Sequence, residues 1–452
     1  MKPIAIDLFC GAGGMSEGIL QAGFHIVFSS DINEFVEKTY THRHEQLGLI
    51  QGENTFFKRA DIRELSKDVI FDSISQLKIY KNQPLPEIDA IFGGPPCQGF
   101  SRAGLRKKDD PRNMLFKEYI RVISEIQPKY VVMENVEGFR DTRLDGFIGV
   151  TGKVYPDNSL VPDLLKSELK EIDYSYLEPE SLDASDFGVP QRRRRVIFLA
   201  YRTGQRAPVY PEPTTLSEES KVSVLDAIGD LIKDEKLKTS LNLKVSQYQN
   251  DSIKGRTRTI TGERVNYDRI IRNHDLANHN DLIKQRFSLY QEGETTSNLI
   301  KRIKAQGVNL NEYPLLLQDC LQKVQDLVSK EELVMKFSQG DVDQVLLEAL
   351  ITKKSNRYRY LSDSVAPTVV TLPDDFLVPL ENRIPTVREL ARLQSFDDNF
   401  EFLGKRTTGG QRRREEVPQY TQVGNAVPPL LAKAIASEIK KVLVQKEVHL
   451  VT

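Results

Sequence analysis

Ile91-Phe92-Gly93-Gly94-Pro95-Pro96-Cys97-Gln98-Gly99-Phe100-Ser101 places a cysteine in a Pro-Pro-Cys-Gln turn directly after the apolar run Ile88-Asp89-Ala90-Ile91-Phe92. The run reads as a short buried strand. The two prolines fix φ at about −65° on the N-terminal side of the cysteine, and the flanking glycines allow backbone conformations closed to other residues. Open α/β sheets bind ligands at the carboxyl ends of their strands, so a rigid thiol there is a candidate nucleophile. Taken alone, Cys97 fits an ordinary turn with a buried thiol better, because free cysteine is among the most buried residue types. The surrounding sequence decides between the two.

Outward from this turn, Ile4 to Phe9, His25 to Ser29, Tyr130 to Met133 and Val196 to Ala200 are further strand candidates, separated by helix-like segments. Strands alternating with helices imply βαβ units and a mostly parallel sheet. The fold class expected is α/β, an open doubly wound domain. Near Thr203-Gly204-Gln205-Arg206-Ala207-Pro208 the texture changes, and residues from about 210 to 355 are polar, low in glycine and partly helical. Leu317, Leu321, Val324 and Leu327 or Val328 recur there at helical spacing, which marks core. Val427-Pro428-Pro429 then opens a helix with prolines in its first turn, and Leu431, Ile435, Ile439 and Val442 form its buried stripe. The expected division is a catalytic and cofactor-binding domain over 1–205, a smaller inserted domain over 206–403, and a return to the first domain over 404–452.

Composition narrows the class of protein. The 452 residues, 39% hydrophobic and 28% charged, suit a soluble globular chain of two or three domains. No apolar stretch approaches a membrane span, and the N-terminus lacks the pattern of a signal peptide. Three cysteines, Cys10, Cys97 and Cys320, argue against a disulfide framework and for a reducing cytoplasm. The net charge of −1 does not itself favour nucleic acid. Basic clusters at Arg102 to Arg112, Arg192 to Arg195, Lys353 to Arg359 and Arg412 to Arg414 supply local positive faces, which matter more for DNA than the total.

Asp7-Leu8-Phe9-Cys10-Gly11-Ala12-Gly13-Gly14 ends the first strand and starts the first helix. Glycines there let an anionic ligand reach backbone N–H groups at a helix N-terminus, which suits NAD, FAD or S-adenosylmethionine. Asp31, at the end of the second strand, is placed to accept from ribose hydroxyls. Asp61 is placed to accept from an adenine amino group, with Ile32 and Ile62 packing on the ring. Each acid in isolation also reads as a helix cap.

Beyond Cys97, the strand Tyr130 to Met133 runs into Glu134-Asn135-Val136, which sets a carboxylate beside the cysteine turn. In Gln191-Arg192-Arg193-Arg194-Arg195 alternate residues of an extended segment share a face, so Arg193 and Arg195 point into the pocket while Arg192 and Arg194 face away. With Arg388-Glu389-Leu390-Ala391-Arg392-Leu393-Gln394-Ser395-Phe396 and Gln422-Val423-Gly424-Asn425-Ala426-Val427-Pro428-Pro429, these motifs occur in the order seen in DNA (cytosine-5)-methyltransferases, and the chain resembles the bacterial restriction-modification type.

The resemblance implies a Rossmann-like, S-adenosylmethionine-dependent methyltransferase domain with an inserted target-recognition domain. It implies that Cys97 attacks C6 of cytosine, that Glu134 holds N3 and the exocyclic amine, and that Arg195 and Arg193 lie near the base O2 and the catalytic loop. Phe9, Gly11, Gly13, Asp31, Ile32, Asp61, Ile62, Leu115 and Asn425 match cofactor-contacting positions, and Ser101 to Arg112 form the loop that closes over DNA. The partners implied are double-stranded DNA and a cognate restriction endonuclease acting on the same site, with the enzyme a monomer and no membrane involved. Tyr358, Arg359 and Tyr360 are candidates for base contact or, equally, for a structural strand. His274 and His279 fit no standard zinc spacing, so no metal is expected. The basic loop Gly404 to Pro418 reads as a surface segment able to touch phosphate.

Other functions fit less of the chain. A tRNA cytosine-5 methyltransferase shares the motifs but not the need for so long an inserted span. An NAD-dependent oxidoreductase explains the glycines and Asp31 and leaves Pro-Pro-Cys-Gln, Glu-Asn-Val and the arginines idle. A catalytically silent DNA-binding regulator has no use for Cys97 and Glu134.

Overall fold

The computed structural model describes residues 2–96, 114–351, 356–410 and 412–448. Cys97 and the expected loop from Ser101 to Arg112 lie outside the described residues. Eight strands form the main sheet: β1 (Ile4–Leu8), β2 (His25–Asp31), β3 (Phe56–Arg59), β4 (Ala90–Gly93), β5 (Tyr130–Asn135), β6 (Tyr174–Tyr176), β7 (Glu180–Asp183) and β8 (Arg194–Arg202). Their order is β3-β2-β1-β4-β5-β8-β6, with β7 also paired to β8. The five strands from β3 to β5 run parallel, and β8 runs antiparallel to its neighbours. This is the doubly wound α/β architecture expected from the sequence, closed on one side by an antiparallel edge.

The pattern of each strand explains the layers. Successive side chains of a strand point to opposite faces, so Ile4, Ile6 and Leu8 enter one core while Ala5 enters the other. Helices α3 (Lys67–Ser75), α4 (Leu115–Ile126) and α5 (Val161–Glu171) cover the first face, burying Ile70, Phe116, Tyr119, Ile123 and Leu165. Each such side chain contributes roughly 1.5–3 kcal/mol relative to exposure. Helix α1 (Gly14–Gln21) and the C-terminal helix Pro429–Val448 cover the second face. The expected stripe of Leu431, Ile435, Ile439 and Val442 is buried there against Met15 and Ile19. The two helices approach closely at Gly18, where a Cβ would lie 2.5 Å from Ala432 Cβ and 2.5 Å from the Pro429 carbonyl oxygen. Helix α2 (Glu34–Gln46) packs at the β3 edge through Tyr40 on Phe57.

Residues 206–403 contribute to two cores. Val224, Ala227, Leu390, Phe396 and Phe400 merge with Ala12, Tyr420 and Val423. Helices Asp281–Ser288, Thr296–Gln306, Pro314–Val324, Lys330–Gln339 and Gln344–Leu350 enclose the second, around Leu299, Leu317, Cys320 and Phe337. The predicted helical stripe is core up to Val324, where the helix ends; Val328 still packs on that core and Leu327 is exposed.

One pair of contact candidates is corrected here. Arg359 and Tyr360 are buried. The Arg359 guanidinium donates to the carbonyls of Val378, Pro379, Glu381 and Phe287 and to Asn382 Oδ1, at 2.7–3.0 Å. Tyr358–Arg359 pairs in parallel with Phe376–Leu377, so the structural-strand reading holds for these two residues. No helix among the described residues is long and apolar enough to cross a membrane.

Gly18→Val is expected to lower stability by about 1–3 kcal/mol or more, because the added atoms meet backbone and not a movable side-chain tip. Urea denaturation measures it; a variant as stable as the parent would show that the two helices do not close on each other as described.

Candidate active site

Five parallel strands end on one edge of the sheet, and a cavity of about 720 Å³ opens there. Asp7 to Ala12 line it from β1, Ser30 to Asn33 from β2, Ala60 to Ile62 from just beyond β3, Gly94 to Pro96 from β4 and Glu134 to Val136 from β5. Distant chain completes the wall: Thr368 to Thr371, Val417, Gln422 and Gly424 to Val427.

At one end, Asp31 Oδ2 accepts from the Gly11 N–H (3.0 Å) and Oδ1 from the Asn33 N–H (2.9 Å). The same carboxylate thus ties the glycine turn to the end of β2. Burial raises its pKa, and the backbone hydrogen bonds oppose that rise. Asp61 caps the turn Ile62–Glu64 and forms an ion pair with Arg63 at 2.5 Å. The Arg63 hydrogen bond lowers its pKa and keeps it charged. Ile32 is 65% exposed at the cavity rim, whereas Ile62 is buried in its wall. An apolar side chain left exposed over a cavity is suited to stacking on a planar group. Phe9, Leu115 and Asn425 line the same space, and Phe9 holds a left-handed backbone conformation at φ 56°. Gly13 lies between the lining residues Ala12 and Gly14, and a side chain there would point at the Tyr40 ring.

At the other end, Glu134 Oε1 lies 2.6 Å from Arg195 Nε, both side chains about nine-tenths buried. The register sets Glu134 opposite Ile197, two residues beyond Arg195 on β8. Asn135 Nδ2 donates to the Pro95 carbonyl (3.2 Å), fixing the Pro95-Pro96 turn that leads into Cys97. The arginine alternation is as expected, with Arg193 and Arg195 inward and Arg192 and Arg194 exposed. The two inward arginines nevertheless differ. Arg193 lines the cavity, but its guanidinium donates to the carbonyls of Val369 (3.1 Å) and Gly424 (3.0 Å). Arg193 is therefore a clamp between segments, while Arg195 faces the acid.

Sequence reasoning assigns no separate role to Asn135 or Gln422, and it misses Asn33 and Val417 because nothing local marks them. In the sequence Asp7 stands only as the first residue of the glycine motif. It is fully buried, accepts a short hydrogen bond from Ser16, and lines the cavity. Burial pushes its pKa up to about 7, against the lowering effect of Ser16 and with a further push from the Asp31 charge. Cys10 is buried beside Tyr40 and Phe57, and burial raises its thiol pKa, so it is a packing residue. His274 bonds Thr386 Oγ1 (2.9 Å) and the Leu231 carbonyl (3.1 Å), and among the described residues no cluster of three or more metal-type ligands occurs.

The profile of the C-5 cytosine-specific DNA methylase family matches residues 4–441. The chain belongs to that family. Among similar curated proteins, the type II methyltransferase M.DdeI of Desulfomicrobium norvegicum is 28% identical over 96% of this chain and 88% of its own length. The type II methyltransferase M1.HphI of Haemophilus parahaemolyticus is 32% identical over 96% of this chain and 86% of its own. A solved structure described as a DNA modification methyltransferase encoded within an E. coli prophage superposes with a TM-score of 0.63 at 22% identity, covering 98% of this chain and 100% of the other, a likeness of fold. The enzyme is accordingly a DNA (cytosine-5-)-methyltransferase, and Glu134, Arg195 and the glycine turn occupy one cavity of it.

The Asp7 carboxyl is easier to protonate in the folded chain than at its ordinary value of 3.8. A raised pKa contributes stability that is complete below the unfolded value and lost as pH rises through the folded one. The stability of the methylase relative to Asp7→Asn is therefore expected to fall between about pH 4 and pH 7. Urea midpoints of both proteins across that window test it, and a constant difference between them refutes it.

Proposed function

We propose that this methylase transfers a methyl group from S-adenosylmethionine to C5 of a cytosine flipped out of duplex DNA, with Cys97 as the nucleophile, as the modification enzyme of a bacterial restriction-modification system. The observation that carries the reading is the Glu134–Arg195 pair at 2.6 Å in the same cavity as the Asp31-anchored glycine turn, beside the Pro95-Pro96 turn entering Cys97.

The residues present suit the cofactor. Asp31 is an acid at the end of β2, where ribose hydroxyls are recognised in this architecture. Ile32 and Ile62 offer apolar surface for the adenine, Asp61 an acceptor beside it, and the amides of the turn before α1 a place for the carboxylate. When bound, S-adenosylmethionine supplies a methyl group on a positively charged sulfur.

The chain does the rest. C5 of cytosine is a poor nucleophile, so addition of the Cys97 thiolate at C6 shifts electron density to C5, where the new carbon–carbon bond forms. Glu134 holds N3 and the exocyclic amine as charge develops through the ring, and Arg195 fixes Glu134 in position. The methyl carbon's bond to sulfur breaks as the bond to C5 forms, leaving a neutral thioether; passage of the C5 proton to water and expulsion of the thiolate from C6 then restore the aromatic ring and the free enzyme. Arg193 acts at one remove, by holding the Val369 and Gly424 segments against the site. The base must leave the stack, at a cost of a few kcal/mol, offset by phosphate contacts from the basic segments. In this reading residues 206–403 are the target-recognition domain and 1–205 with 404–452 the catalytic one.

Tritiated methyl transfer to duplex DNA is expected, with none to tRNA. Cys97→Ser is expected to abolish it, and Glu134→Gln to reduce kcat by about 10²–10⁴-fold. Bisulfite sequencing of DNA from an expressing cell is expected to show methylated cytosine in one short sequence context. Full activity in Cys97→Ser, or methylation of a different base, sinks the proposal.

A further inference from the structure

Behind the glycine turn lies a chain of buried polar side chains for which the chemistry above has no use. Tyr40, on α2, is 1% exposed. Its hydroxyl lies 2.9 Å from Ser16 Oγ in the first turn of α1 and 2.5 Å from Ser29 Oγ on β2. Ser16 in turn donates to Asp7 Oδ2 at the end of β1. Proton counting gives the chain one direction. Each hydroxyl has a single proton; with Asp7 ionised, Ser16 spends its own on that carboxylate, so Tyr40 donates to Ser16 and Ser29 donates to Tyr40. One side chain thereby joins β1, α1, β2 and α2 at the point where the first two meet the cavity.

The Tyr40 ring has a second contact. Its edge carbons stand 3.2 and 3.4 Å from where a Cβ on Gly13 would sit. Gly13 has φ +100° and caps α1, with its N–H on the Cys10 carbonyl (3.0 Å) and its carbonyl accepting from the Glu17 N–H (2.9 Å). Phe57 (5.2 Å between ring centroids) and His44 (4.1 Å) pack on the ring as well, so it cannot move aside freely. Burial, with the Arg43 charge adding, pushes the His44 pKa down to about 3, so the imidazole against the Tyr40 ring is neutral. At the far end Asp7 belongs to the cavity wall, and its second oxygen, Oδ1, is buried without a hydrogen-bond partner.

We propose that Tyr40 is a positioning residue for cofactor binding: its hydroxyl, through Ser16, orients the Asp7 carboxylate, and its ring holds Gly13 and the turn that receives the cofactor. The proposal rests on reading the cavity as the S-adenosylmethionine site, and the two can fail separately.

The test is calorimetric titration of S-adenosylmethionine into the full-length parent, Tyr40→Phe, Ser16→Ala, Ser29→Ala and the Tyr40→Phe/Ser16→Ala double variant, with melting temperatures and steady-state methyl transfer alongside. Tyr40→Phe keeps the ring and removes only the relay. Its Kd for S-adenosylmethionine is expected to rise about tenfold, as for one buried hydrogen bond. Its kcat at saturating cofactor and its KM for DNA are expected to stay within about twofold. The double variant is expected to be no weaker than either single one, since groups in one chain do not add. Ser29→Ala leaves the Tyr40–Ser16–Asp7 bonds in place and is expected to weaken binding less. Unchanged Kd in Tyr40→Phe with a lowered melting temperature assigns the tyrosine to packing alone and overturns the proposal, as does strict additivity in the double variant. No binding to the parent overturns the reading of the cavity instead.

Discussion

The site depends on three segments, far apart in sequence, being held against the carboxyl edge of one sheet, and two neighbouring side chains do that. Arg193 reaches the carbonyls of Val369 and Gly424, while Gln191 donates to the Leu393 carbonyl and Gln394 Oε1 and accepts from the Val369 N–H. Both side chains are buried. Buried polar groups are costly unless satisfied and specific once they are, so a single arrangement of these segments meets all the demands at once. The positions of Asn425 in the cavity wall and Thr368 beside the arginine strand follow from it.

A second set of buried charges closes the molecule around that edge. Arg43 on α2 forms a bidentate pair with Glu17 on α1 (2.8 and 3.0 Å), and Thr257 donates to the same carboxylate (2.5 Å). Arg256 pairs with Asp397 (2.6 Å), and Arg392 pairs with both Asp398 and Asp230. Ion pairs this deep repay little more than their own desolvation, and their value lies in geometry. Arg43 and Glu17 join α2 to α1, Thr257 ties that pair to a distant part of the chain, and the Arg256 and Arg392 pairs hold the Val387–Leu393 helix and the residues after it to Asp230 and Arg256. The core shared by Ala12, Phe396 and Val423 lies within the same seam.

Much of the fold was legible locally. Strand β1 is buried throughout and apolar except for Asp7, and the four-residue spacing of Leu431, Ile435 and Ile439 needs only a helix and one covered face to be understood. The acids were legible as positions but not as single roles. Asp61 caps the Ile62–Glu64 turn and still lines the cavity, so serving as a cap does not remove it from the site. Arg359 and Tyr360 show the opposite case. A basic and aromatic cluster in an inserted span looks like readout, yet an arginine surrounded by five acceptors within 3.0 Å is a structural post.

By itself the sequence determined the period of the strands and helices, the order of the motifs and the identity of the acid, arginine and glycine positions, because each is set by residues within a few places of one another. Only the tertiary structure decided which of two inward arginines reaches Glu134, which polar residues are spent as clamps, and that Tyr40 stands behind the glycine turn. Those outcomes turn on which groups share one buried volume, and hydrogen-bond satisfaction within that volume is a property of the packed chain that no local window contains.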